Sequence, residues 1–104
     1  MRPRRGDRFR STRDVEVRGL VTFRNPSSGG FKAVLPRGEI VIVENDPPRD
    51  AKAVYTVPER YEALEQLLVP TEDRNSKTYG SYTLVIRFEQ LTEAFELLGR
   101  SGAA

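Results

Sequence analysis

The sequence predicts a mainly β domain, a small and partly open barrel of five or six strands with two short helices. Apolar and polar residues alternate through much of the first half, which is the period of strands with one buried face. Proline and glycine residues separate these segments, as turns require. The 104 residues, 38% hydrophobic and 31% charged, allow one modest core beneath a heavily charged exterior.

The first predicted strands follow a basic opening segment. Residues 1–6 are rich in arginine and interrupted by Pro3, so we expect a flexible basic arm there and a single domain over 7–99. Gly19 and Leu20 favour a bulge or a sharp bend, since Gly19 lacks a side chain and Leu20 breaks the alternation. The apolar residues of one parity, predicted to face the core, are Phe9, Val15, Val17, Val21 and Phe23.

Two more strands are predicted between loops that contain proline and glycine. Residues 25–30 (NPSSGG) are the strongest loop signal, and a strand over 31–35 follows. After a tight turn at 36–38 (PRG), residues 39–44 are continuously apolar and β-branched at their centre. That pattern predicts a strand buried on both faces, with Ile40 and Ile42 in the core.

The second half of the chain is predicted to add two strands and both helices. A Pro-Pro loop leads to a strand at about 52–56, and residues 56–59 (TVPE) have the spacing of a capping box. Apolar residues that repeat every three or four positions predict a helix at about 58–69. The remaining segments are a polar loop, a last strand, a second helix and a frayed tail, predicted at 71–78, 81–87, 89–98 and 100–104.

This order of strands and turns resembles that of small Src-homology-3-like (SH3-like) barrels, and of a functionally uncharacterised family of small bacterial proteins of that build. The resemblance is carried by residues 6–9 (GDRF), by the bent Val-rich strand after them and by residues 35–40 (LPRGEI). It covers about residues 6–57 and the strand at 81–87. The helix predicted between these two parts departs from the simplest five-stranded pattern.

Partners of such barrels usually dock beside the first long loop and its neighbours. The resemblance therefore implies binding near the turns at 11–14 and 25–30. No residue in these two turns is aromatic, so a proline-rich ligand is disfavoured.

The absence of histidine and cysteine excludes whole classes of chemistry. Neither a Ser-His-Asp nor a Cys-His arrangement can be assembled, and no thiolate or imidazole can bind a metal ion. The spacing of the acidic loop residues predicts no metal site; these are Asp46, Asp50, Glu72 and Asp73. We therefore expect no enzyme, no catalytic residue, no metal and no cofactor.

Composition also bears on the compartment. Without cysteine there is no disulfide framework, so the expected location is the cytoplasm. Residues 1–10 carry charge with no apolar stretch behind them, and no apolar run approaches the roughly 20 residues of a membrane span. We expect neither a secretory signal nor a membrane segment.

Positive charge is concentrated in the first third of the chain. Residues 1–37 contain ten Lys or Arg and three acids, whereas residues 38–104 contain seven and twelve. Guanidinium groups fork onto carboxylates and phosphates, so outward arginines are candidate binding groups. Glu16 shares their parity and neutralises part of their charge. If Phe9 and Val17 face the core, four arginines of the opposite parity face outward. We predict that these arginines bind a partner; they are Arg8, Arg10, Arg18 and Arg24.

The sequence leaves the partner open. An acidic protein surface is the first interpretation, which makes the chain a small non-catalytic protein–protein interaction module. A nucleic acid bound through its phosphates is the alternative, and a small ligand or an enzymatic role is a third. The arginines also fit a role without a partner, either in ion pairs with acids of the same chain or in solubility. A homodimer through exposed sheet edges is predicted as a further association.

Overall fold

The computed structural model describes residues 2–23 and 30–99. The predicted tail at 100–104 lies outside this part of the chain, as does most of the predicted loop at 25–30. The strands are β1 (Arg8–Ser11), β2 (Val15–Phe23), β3 (Gly30–Leu35), β4 (Ile40–Val43), β5 (Ala53–Pro58), β6 (Tyr79–Arg87) and β7 (Phe95–Gly99). The helices are α1 (Tyr61–Leu68), α2 (Thr71–Arg74) and α3 (Phe88–Ala94).

These strands join in one antiparallel sheet with the order β3-β2-β6-β5-β4-β1-β7. The mainly β class is therefore confirmed. Strands β3 and β7 are the two ends of the order, so the described sheet is not closed and the predicted barrel is not confirmed. The described strands exceed the predicted five or six because one of them replaces the end of a predicted helix. A homodimer through a sheet edge stays a prediction.

The helix predicted over 89–98 ends early. Its last helical residue is Ala94, and Phe95 already has extended backbone angles, with φ −134° and ψ 157°. Residues 95–99 pair instead with β1, where Phe95 lies opposite Ser11. The helical spacing of apolar residues predicts the wrong end because the extended segment supplies hydrogen-bond partners to the backbone of β1.

The helix predicted from residue 58 begins later than expected. Thr56, predicted as its capping residue, lies in β5, where its buried hydroxyl donates a hydrogen bond to the Leu84 carbonyl oxygen (3.0 Å). The helix begins at Tyr61, and its N-cap residue Arg60 makes no side-chain capping bond. The capping-box prediction is wrong because β5 continues as a strand through Pro58.

Three tyrosines and a glutamate attach α1 to the sheet. The rings of Tyr61 and Tyr82 stack with 4.5 Å between centroids, and Tyr82 Oη donates to the Tyr61 carbonyl oxygen (2.9 Å). Tyr79 Oη donates to Glu65 Oε2 at 2.9 Å. Burial raises the pKa of both Tyr79 and Tyr82, and the bond to Glu65 raises the pKa of Tyr79 further. Both hydroxyls therefore stay protonated and serve as structural donors.

Residues 2–6, predicted as part of a flexible arm, lie against the domain. Pro3 is buried. The amide nitrogen of Arg5 donates to Asp46 Oδ1 at 2.8 Å, in the loop that contains the two adjacent prolines. The fold supplies partners for backbone groups of this segment, which the local sequence does not show. The flexibility of the arm stays a prediction.

The core follows the predicted parity except in β4. The predicted core residues outside β4 are all buried: Phe9, Val17, Phe31 and Leu84. Within β4, Val41 and Val43 are buried, whereas Ile40 and Ile42 are only half-buried. Four consecutive apolar residues carry no alternation, so their parity is set by pairing with β1, where Phe9 lies opposite Val41.

Gly19 makes room for an aromatic ring and does not form the predicted bulge. Strand β2 pairs regularly with both neighbours through Gly19 and Leu20, and the register shift lies between Thr22 and Phe23. Phe31 is the cross-strand partner of Gly19, and its Cζ lies 2.0 Å from the position that a Cβ on residue 19 would take. The ring of Phe31 therefore fills the space of the missing side chain.

Candidate functional site

Arg8 and Arg10, two of the four predicted binding residues, form ion pairs within the chain. Arg8 Nη2 lies 2.6 Å from Glu59 Oε2, and Arg10 Nε donates to Glu96 Oε1 at 2.7 Å. The acids come from the second half of the sequence, one directly after β5 and one in β7. Intramolecular neutralisation, left open by the sequence, therefore holds for these two arginines.

The structure does not bring Arg18 next to Arg8 and Arg10. Arg18 lies on β2, and three strands, β6, β5 and β4, separate β2 from β1 in the sheet. Arg24 lies outside the described residues. Arg8, Arg10 and Arg18 therefore do not form the predicted alignment. The alternation of a strand shows which side of the strand a residue occupies, but it does not show which strands are neighbours in the sheet.

Arg18 belongs instead to a row of outward residues that runs across four neighbouring strands. Lys32 of β3 is its cross-strand partner on one side, and Val85 of β6 is its partner on the other. Val85 in turn pairs with Tyr55 of β5. We call Lys32, Arg18, Val85 and Tyr55 the outer-face row. At about 4.8 Å between strands, it extends about 14 Å.

The row is placed by regular alternation on its strands. Arg18 and Lys32 are exposed, whereas their chain neighbours Val17 and Phe31 are buried. In the same way Tyr55 lies between the buried Val54 and Thr56, in a strand whose burial alternates. The row is therefore fixed by the same packing that forms the core.

Arg18 and Lys32 are like charges placed directly opposite each other. Such cross-strand pairs are destabilising unless another charge compensates them. Neither residue takes part in an ion pair within residues 2–23 and 30–99, and the pairs formed there join Arg8 to Glu59, Arg10 to Glu96, Arg60 to Glu39 and Arg87 to Glu89. Glu16, on the same face of β2, does not pair with either cation. These two groups are therefore available to an external anion.

The Arg18 guanidinium extends toward β3. Its Nε and Nη2 atoms each lie 3.1 Å from the position that a Cβ on Gly30 would occupy. The missing side chain of Gly30 thus leaves the space in which the guanidinium lies. As a result, the positive charges of Arg18 and Lys32 both lie on the β3 side of the row.

Exposed apolar groups flank the two cations. Val34, two residues after Lys32 on the same face of β3, is 54% exposed, and Tyr55 at the other end of the row is 49% exposed. The outward position of Tyr55 was not predicted from the sequence, because the strand at about 52–56 was predicted without assigning its residues to the inner or outer face. A surface depression of about 670 Å³ adjoins the row and includes Arg18, Gly30, Lys32, Val85, Arg87 and Gln90 among its lining residues.

Chemically, the site offers hydrogen-bond donors and apolar surface. Guanidinium and ammonium groups donate and do not accept, so they bind carboxylates or phosphates. Across the described ranges, no three acidic side chains come close enough to hold a metal ion. None of the helices in those ranges is long and apolar enough to cross a membrane.

Comparison with known proteins assigns no family to this fold and site. No protein-family model, no curated protein and no solved structure matches the chain. The resemblance to SH3-like barrels therefore stays a prediction, and the outer-face row is the basis for inferring function.

Proposed function

We propose that the protein is a small non-catalytic protein–protein interaction module that binds an acidic segment of a partner on the outer-face row. One observation carries the proposal: Arg18 and Lys32 face each other across β2 and β3 without a carboxylate partner among the described residues. An acidic segment supplies the missing counter-charge. Binding then relieves the repulsion between the two cations.

The surroundings of the two cations support a protein segment as the ligand. Exposed Val34 and Tyr55 provide apolar contact area on either side of the charges. Tyrosine and arginine are enriched in protein interfaces, where a planar ring and a forked guanidinium give contact area and direction. A segment that combines acidic and apolar residues therefore complements this face better than a free anion.

A nucleic-acid-binding module is the second candidate, and Tyr55 favours it. An exposed aromatic ring on a sheet face can stack on a base while nearby cations contact phosphates. The row offers one aromatic residue and two cations that have no ion-pair partner among the described residues, and the cations of Arg8 and Arg10 are already neutralised. We rank this candidate second because few phosphate contacts are available.

The proposal extends to the setting of the module. We propose a cytoplasmic protein, in keeping with a chain without cysteine. We also propose that its strand order is a variant of the bacterial SH3-like build, in which β7 extends the sheet beyond β1. In this variant the partner binds at β2 and β3, the strands that precede and follow residues 24–29 in the sequence.

The proposal predicts that Arg18→Glu with Lys32→Glu weakens binding of an acidic peptide at least tenfold, or about 1.4 kcal/mol. The probe is a fluorescein-labelled peptide with the repeat Glu-Ser-Val-Ser, which places glutamate and valine in turn on one face of an extended strand. Its binding is measured by fluorescence anisotropy. Charge reversal turns attraction into repulsion at the site. Thermal stability should change by less than about 1 kcal/mol, since exposed charges contribute little.

The matched control is Arg8→Glu with Arg10→Glu, which changes the net charge by the same amount elsewhere on the sheet. We expect this variant to bind the peptide within about twofold of the parent chain. Equal losses in both variants would indicate a response to net charge alone and would overturn the proposal. If a labelled single-stranded oligonucleotide binds with steep salt dependence while the peptide does not bind, the second candidate replaces the first.

A further inference from the structure

We infer that the acidic segment binds as an additional β-strand along the outer edge of β3, the edge that faces away from β2. This inference rests on the proposed function and places the segment at the β3 end of the outer-face row. There Val34 provides the apolar contact, because Tyr55 lies three strands away. It concerns β3 (Gly30–Leu35), one of the two ends of the sheet. The partner expected is an extended acidic peptide, in which an acidic side chain and an apolar side chain alternate on one face.

The first support is the open edge of β3. Within the described residues this strand pairs with β2 on one side and with no strand on the other. An edge strand presents a row of unpaired N–H and C=O groups to its surroundings. Extended peptides use such edges, because backbone hydrogen bonds give affinity and alternate side chains give specificity.

Charge distinguishes β3 from β7, the other end of the sheet. Strand β3 (GFKAVL) contains Lys32 and no acid, whereas β7 (FELLG) contains Glu96 and no cation. Glu96 is already paired with Arg10. An acidic strand therefore finds a complementary charge at β3 alone, although β7 also exposes apolar side chains, Leu97 and Leu98.

Side-chain positions at β3 match an added acidic strand. A residue directly opposite Lys32 on that strand has its Cβ about 4.5–5.5 Å from the Lys32 Cβ, within reach of a carboxylate. The Arg18 guanidinium, which lies over Gly30, brings a second cation to the same side of the sheet. The residue two positions further along the added strand lies on the same face as the residue opposite Lys32. It meets the exposed side chain of Val34.

Backbone methylation of the peptide tests the inference directly. In an added strand only alternate residues direct their N–H groups toward β3. We would compare the Glu-Ser-Val-Ser peptide with one version N-methylated at every glutamate and valine and another N-methylated at every serine. Side chains and charge are the same in all three. We expect one methylated version to lose at least tenfold in affinity and the other to bind within about threefold of the unmodified peptide.

Amide hydrogen exchange supplies a second measurement on the same complex. Binding of the unmodified peptide should slow exchange at residues 30–35, because edge amides acquire partners. Similar affinities of both methylated peptides, or losses in both, would overturn strand addition. If their binding still depends on Arg18 and Lys32, the proposed function stands and only the binding mode is wrong. If the unmodified peptide itself fails to bind, the proposed function fails as well.

Discussion

Leu84→Ala is expected to lower the free energy of unfolding by about 2–5 kcal/mol, the range for removing a buried leucine side chain. Leu84 is fully buried in β6, and it pairs with Gly19 of β2 on one side and with Thr56 of β5 on the other. The strand lies within the sheet, with partners on both edges, so the surrounding backbone has little freedom to close the cavity. Urea denaturation followed by circular dichroism measures the loss.

Val85 provides the matched control for this prediction. It is the next residue on the same strand, but it lies on the outer face and is only half-buried. We expect Val85→Ala to cost less than about 1 kcal/mol, since less apolar surface is removed from the interior. A larger loss at Val85 than at Leu84 would show that β6 is in the opposite register.

Gly19→Ala is expected to lower the free energy of unfolding by about 1–3 kcal/mol, the second large effect. Alanine normally stabilises a strand relative to glycine, so the expected sign is the reverse of the usual one. The cause is the ring of Phe31, whose Cζ lies 2.0 Å from the position of the new methyl group. Thermal and urea denaturation of the single variant measure the loss.

A double-mutant cycle with Phe31→Ala isolates that cause. Once the ring is absent, we expect Gly19→Ala to be neutral or slightly stabilising, which gives a coupling energy of at least about 1 kcal/mol. Gly99→Ala is the control, because a Cβ there meets no atom within 4 Å. If Gly19→Ala costs the same with and without Phe31, the account of this position is wrong.

Alternation along the first strands is enough to predict which of their residues are buried. Phe9, Val17 and Phe31 follow this pattern, and each lies next to polar residues that define its face. The run Ile40–Val43 lacks such contrast, so sequence alone does not determine its parity. Its parity depends instead on pairing with β1, which is a long-range property.

The segment after β6 shows how tertiary contacts override local spacing. Phe88, Leu91 and Phe95 are spaced as on a helix, and the helix does form as far as Ala94. Beyond that point, backbone pairing with β1 determines the conformation. No local feature of 95–99 shows that an unpaired strand edge is available to it.

The candidate site was predictable in part. The alternation of apolar and polar residues predicts that Arg18 faces outward. The same alternation on the strand predicted over 31–35 indicates an outward position for Lys32. The sequence does not show that Glu59 and Glu96 neutralise Arg8 and Arg10, because those contacts depend on strand order. The neighbours of each strand, rather than its face, are the information missing from the sequence.

Mapping of the bound peptide on the protein tests whether the acidic segment binds at β3 and the outer-face row. In a ¹⁵N-resolved NMR titration with the Glu-Ser-Val-Ser peptide, we expect the largest amide shift changes over residues 30–35 and at Arg18 and Val85. The same changes should be absent in the variant with Arg18→Glu and Lys32→Glu. The largest changes falling on β1 and β7, around Arg8 and Arg10, would contradict the account.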